Sequence, residues 1–249
     1  QALVEVCAGG TVTFGGDFDI YLDSELLVDK ALTIDGSGRR ITVSGNDMVR
    51  VFKVSNNAHV TLANLTITGG RGTSSECDGR TCGGGLKVDA GAAVTLTHSM
   101  LVSNTAYYGG GIFNYGTLRI LHSTIAYNVA ESWDGGIYSN GSLVVENSTI
   151  SGNTAGGNVG GLASAGSLTL RNSTIVGNTS AGDTGGLRQQ GVAAYLYNTI
   201  IANNSGMDCG LADDGTLAAN VHNLVEDGGC SAAFSGDPLL GPLADNGGD

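Results

Sequence analysis

The acidic residues are the first place to look for chemistry in this chain. In its repetitive middle they are Asp89, Glu131, Asp134, Glu146 and Asp183. Hydrolysis of a glycosidic bond needs two carboxylates flanking that bond. In a repeating chain they would stand one period apart on one strand. Asp134 follows Asp89 by 45 residues and precedes Asp183 by 49, so no column of acids forms. Asp213 and Asp214 adjoin each other, but where the repeat breaks. Elimination from an acidic polysaccharide needs a basic residue beside calcium-binding carboxylates. Lys87 and Arg188 lie on equivalent strands four coils apart, too distant for one centre. The charges read as solvated surface, and no catalytic residue, metal or cofactor is assigned. The reading leans away from an enzyme, with a polysaccharide lyase or glycosidase kept as an alternative.

Aromatic residues offer a different chemistry. If Ile112 and Ile137 point inward, alternation along a strand turns Phe113, Tyr115 and Tyr138 outward. Tyr107, Tyr108 and the only tryptophan, Trp133, lie in the preceding turns. Exposed rings suit stacking on sugars and suit protein contacts equally. The alternative is that they pack on one another or beneath a loop. The candidate binding set for a glycan or partner is Lys87, Phe113, Tyr115, Trp133, Tyr138 and Arg188.

The five cysteines point to an oxidising compartment. Cys77 and Cys82 are spaced to close a small hairpin, and Cys209 and Cys230 to clamp an insertion, for about 3 kcal/mol. Cys7 is left over, either paired with a cysteine upstream of Gln1 or a free buried thiol. No C-x-x-C pair or nearby histidine supports zinc. The four histidines have no nucleophile at a telling spacing, and His98 and His122 are placed to stack on adjacent coils.

What positions these residues is a repeat. The apolar residue after each Gly-Gly is Leu86, Ile112, Ile137, Leu162 and Leu187, in steps of 26, 25, 25 and 25. Leu101, Ile125, Ile150, Ile175 and Ile201 form a second column, and Asn104, Asn128, Asn153, Asn178 and Asn204 a third. Within a repeat, runs such as Leu143-Val144-Val145-Glu146 alternate as half-buried strands do, and Gly, Asn and Ser punctuate them. A period near 25 holds about three strands of about five residues each. One such unit cannot bury its inner face alone, but stacked copies can. The expected fold is all-β, a single-stranded right-handed parallel β-helix with three short strands per coil. The aliphatic columns are its core. The Asn column is a ladder at a turn, where Asn tolerates the left-handed conformation and stacked amides bond from coil to coil. His98, His122, Asn147, Asn172 and Asn198 form a second turn stack.

One solenoid is expected over 1–249: N-terminal coils with a disulfide-bearing insertion at 71–82, regular coils at 83–204, and an insertion with a capping tail at 205–249. With 42 glycines, 2 prolines and a net charge of −12 on only 11 basic residues, nucleic acid is an unfit partner. No stretch approaches the ~20 apolar residues of a membrane helix. Six sequons, at Asn64, Asn140, Asn147, Asn172, Asn178 and Asn203, follow from the turn chemistry.

The unit Gly109–Asn128 resembles the polymorphic outer-membrane protein repeat. Leu32–Thr68 and Asn223–Gly248 are similar to bacterial choice-of-anchor Q proteins. The resemblance covers nearly the whole chain. It implies a secreted or surface-bound β-helix, often with an upstream CSLREA segment and a C-terminal anchor, neither of which lies within these 249 residues. The function expected is therefore a non-enzymatic extracellular structural or adhesive protein, whose partners are a polysaccharide or a host or neighbouring cell surface. A filament subunit, joined end to end or by strand exchange, is the alternative. Specificity is expected in the outward column Lys87, Phe113, Tyr138, Ala163 and Arg188, which varies while the scaffold repeats, and in the two cysteine-bearing insertions.

Overall fold

The computed structural model describes residues 5–72, 76–212 and 214–241. Asp213, and the expected capping tail from Pro242 onward, lie outside them.

The chain winds as a parallel β-solenoid of about eight turns, about 25 residues apart. The first face runs from Gly10–Thr13 to Leu217–Val221 and the second from Phe18–Tyr21 to Leu224–Val225, each through nine strands. The third runs from Leu26–Val28 to Met207–Ala212 through eight. Pairing is parallel and in register, as in Ile112↔Ile137 and Ile137↔Leu162. Three strands per coil is corrected in the middle of the stack. There Thr105–Tyr108, Val129–Trp133, Thr154–Ala155 and Thr179–Ser180 form a fourth, four-stranded sheet between the second and third faces.

Both aliphatic columns are fully enclosed, from Leu86 to Leu187 and from Leu101 to Ile201. Each such side chain contributes roughly 1.5–3 kcal/mol. Beside them runs the Asn ladder. Asn104, Asn128, Asn153 and Asn178 are completely buried. Each Nδ2 donates to the Oδ1 of the next coil's Asn at 2.9–3.0 Å. It also donates back to a carbonyl one coil earlier, as Asn153 does to Ile125 at 3.0 Å. Each backbone N–H bonds the same Oδ1, as Asn128 N does to Asn153 at 2.9 Å. The ladder ends where Asn204 Nδ2 meets Asp208 Oδ1 at 2.8 Å.

The left-handed conformation expected of these asparagines belongs instead to the residue before each: Ser103, Tyr127, Gly152, Gly177 and Asn203, with φ of 55–65°. That residue turns the chain, and the Asn after it points inward to bond the backbone groups of the bend. The other turn stack is itself left-handed, with φ of 47–50° from His98 to Asn198. It is an exposed amide chain, with Asn198 on Asn172 at 3.0 Å and Asn172 on Asn147 at 3.1 Å. The His98 and His122 rings stack at 4.9 Å. Behind it lies a buried hydroxyl column that the sequence reading missed, in which Ser99 N donates to Ser123 Oγ and Ser123 N to Ser148 Oγ, both at 3.1 Å.

Both expected disulfides, Cys77–Cys82 and Cys209–Cys230, are formed, whereas Cys7 is free and exposed rather than buried. The second disulfide ties Gly229–Ser231 to the last third-face strand, and Phe234 bridges to Leu224 over the last coil. These residues cover the C-terminal end of the stack.

Candidate functional site: an aromatic cleft on the third face

The outward column of the third face is in register through Lys53, Lys87, Phe113, Tyr138, Ala163 and Arg188. Its lower half is covered. The insertion folds back so that Cys77 and Cys82 pack on Phe113, with Tyr108 and Tyr138 at the margin. An ion network fastens it there. Glu76 receives Lys53 Nζ at 2.6 Å and Lys87 Nζ at 2.7 Å. The fully buried Arg50 donates to Glu25 at 2.6 Å and to the carbonyls of Cys82 and Gly83. Burial alone would push the Glu76 carboxyl up. Hydrogen bonds from Lys53 and Lys87, with the charges of Lys87 and Arg50, outweigh it and hold the group at about 2.

Lys87 and Phe113 are therefore not surface ligands: they are 6% and 3% exposed. Periodicity places a side chain outside the solenoid, but it carries no information on a loop that folds over that side chain. Phe113 instead supports the site from below. Its ring stacks on Tyr138 at 4.8 Å and meets Tyr115 edge-on at 4.9 Å.

The upper half of the column is open. Tyr138 and Arg188 are two strands apart, roughly 9–10 Å at the usual strand spacing. Between them stands Ala163, whose small side chain leaves a cleft of about 280 Å³. Tyr115 and Trp133, each more than 40% exposed, wall it with Tyr108 and Tyr138. Tyr108 lies 5.3 Å from Trp133. Asn158, Arg188 and Gln190 add donors, and Asp78, from the disulfide hairpin, stands at the edge. Five of the six expected binding residues thus meet in one place, Phe113 as a mostly covered ring at its base, and Lys87 is the one left out. Burial, then the charge of Asp78, raises the Tyr115 phenol. Burial, then Tyr115 and Asp134, pushes that of Tyr138 up to about 12. Both stay neutral hydroxyl donors.

Asp134 is the residue that sequence reasoning missed. It is 5% exposed and lines the cleft beside Trp133. Its place in the coil is that of Gly109 in the coil before, and Gly135 bonds onward to Val159 at the same place in the next coil. Its backbone keeps the glycine-like conformation, with φ of 68°. Among the described residues, its carboxylate has no hydrogen bond and no ion pair. Burial pushes the group up to about 7, against the pull of Arg188. The available signal was an acid in a glycine position, which a search for columns of acids passes over.

Comparison with family models, with curated proteins and with solved structures finds no match. The cleft is therefore read from its own chemistry. Rings on the walls, neutral hydroxyls, an amide pair, a guanidinium and one unpaired carboxylate converge on a space at the small end of ligand sites. That volume suits one ring of a larger ligand. Among the described residues, no group of three or more His, Cys, Asp or Glu gathers as metal ligands.

Proposed function

We propose that this chain is a non-enzymatic extracellular surface protein of the choice-of-anchor Q kind, whose solenoid displays a saccharide-binding cleft. The observation that carries the reading is the cleft over Ala163, lined by the rings of Tyr138, Trp133 and Tyr115 beside polar groups. Sugars present apolar C–H faces and a rim of hydroxyls, and this mixture matches them. Two disulfides suit an oxidising, extracellular setting. No described helix is long and apolar enough to cross a membrane. The filament reading has less support, because the described C-terminal end of the stack is covered by the disulfide-tied segment.

A glycan array probed with the parent chain and with Tyr138→Ala and Trp133→Ala tests the proposal. Binding that both variants lose is expected. Binding unchanged in both overturns it. A reducing-sugar assay on each bound glycan separates a binder from an enzyme.

A further inference from the structure

We propose that the saccharide this cleft selects carries a cationic nitrogen, as a de-N-acetylated amino sugar does, and that Asp134 pairs with that ammonium. The inference rests on the saccharide reading above and deepens it.

Three observations carry it. First, Asp134 is a buried carboxylate at the cleft wall with no hydrogen bond or ion pair among the described residues. Such a group is expensive unless a partner arrives. Arg188 acts on it through space without reaching ion-pair distance. Second, its surroundings are aromatic. Trp133, Tyr138 and Tyr108 line the same cleft, and aromatic rings attract cations, most strongly when water is excluded. Third, the field favours a cation. The chain as a whole carries −12, and once Asp134 gives up its proton the cleft sets Asp78 and Asp134 against Arg188. A uronic acid would meet the opposite field. A neutral sugar would leave Asp134 without a counter-charge.

The proposal has a proton signature. Below neutral pH the free carboxyl holds a proton, since burial places it at about 7. An arriving ammonium favours the ionised form, so binding expels that proton. A neutral sugar has no such effect.

Isothermal titration at mildly acid pH, in buffers of different ionisation enthalpy, tests this with three probes: a glucosamine oligomer, its N-acetylated counterpart and a cello-oligomer. Expected are at least about tenfold tighter binding of the glucosamine oligomer than of the other two, and release of close to one proton. In Asp134→Asn, the preference and the proton release should both disappear while weak binding through the rings persists. Equal binding of all three probes with no proton release overturns the ammonium inference and leaves the saccharide reading standing. Retention of the preference in Asp134→Asn also overturns it. Failure of the parent chain to bind any probe or any arrayed glycan overturns both.

Discussion

Asp134 lies one coil above Gly109 in the same left-handed backbone position, with φ of 68° against 55°. The substitution of acid for glycine is unfavourable twice over. The left-handed conformation costs roughly 1–2 kcal/mol for most residues other than glycine, less for Asp, and the buried carboxyl resists ionisation. In the unfolded chain it titrates near 3.8 and in the folded chain near 7. The folded state thus holds the proton more tightly, so stability falls as pH rises through that window and is flat above it. Asp134→Asn should gain stability over the parent above neutrality, by up to about 4 kcal/mol at ~1.4 kcal/mol per pKa unit. The gap should close near pH 4. Thermal unfolding at several pH values measures it, and parallel profiles for the two chains would remove the assignment.

Ala163 makes the cleft by being small. Ala163→Phe should fill it from the floor and lower saccharide affinity by at least about tenfold. The side chain would add to the rings already there, so the melting temperature should hold or rise. Loss of binding together with a collapsed melting temperature would mean that Ala163 serves packing instead.

The two asparagine stacks should respond differently. Asn153→Ala removes the acceptor of the Asn128 N–H and Nδ2 and the donor to Ile125. Leaving these buried groups unpaired should cost roughly 3 kcal/mol or more. Asn153→Asp should fail as well, because a carboxylate cannot donate. Asn147→Gly, in the exposed left-handed stack, should be nearly neutral, since glycine adopts φ near 50° freely. Chemical denaturation of the three variants ranks them.

Acid should loosen the insertion before the stack. The Glu76 carboxyl is held at about 2, below its ordinary 4.5. The stability it contributes is present above 4.5 and is lost as pH falls toward 2. Amide exchange within 76–82 should rise across that window while the ladder residues stay protected. Glu76→Gln should show the raised exchange already at neutral pH, because Lys53 and Lys87 keep only Asp89 as a shared counter-charge and the hairpin loses its own link to them.

The scaffold was readable because each coil meets the same physical demands. An inward Leu or Ile, a buried Asn and a glycine at a close backbone approach recur wherever the stack needs them, and recurrence is visible in a string of letters. The cleft was half readable. Tyr115, Tyr138 and Arg188 stood out as rings or charge on an outward strand, and Trp133 as a ring in what read as a turn but is the end of the strand Val129–Trp133. Phe113 and Lys87 looked equivalent, and only the fold of the insertion distinguishes them, by carrying Glu76 and Cys77 over them. Ala163 drew notice as a member of a variable column but not as a gap. Asp134 was set aside because a site built from one unusual residue leaves no periodic trace.

The in-register stacking has a consequence for how this protein can change over generations. A tandem duplication of one 25-residue period that inserts its new coil between Gln190 and the C-terminal insertion would splice without a seam. It would lengthen the molecule by one strand spacing, about 4.8 Å, with every ladder intact. The same duplication between Tyr138 and Ala163 would part the two walls of the cleft. Overall length is thus free to drift, while the order of the coils carrying Phe113, Tyr138, Ala163 and Arg188 is not.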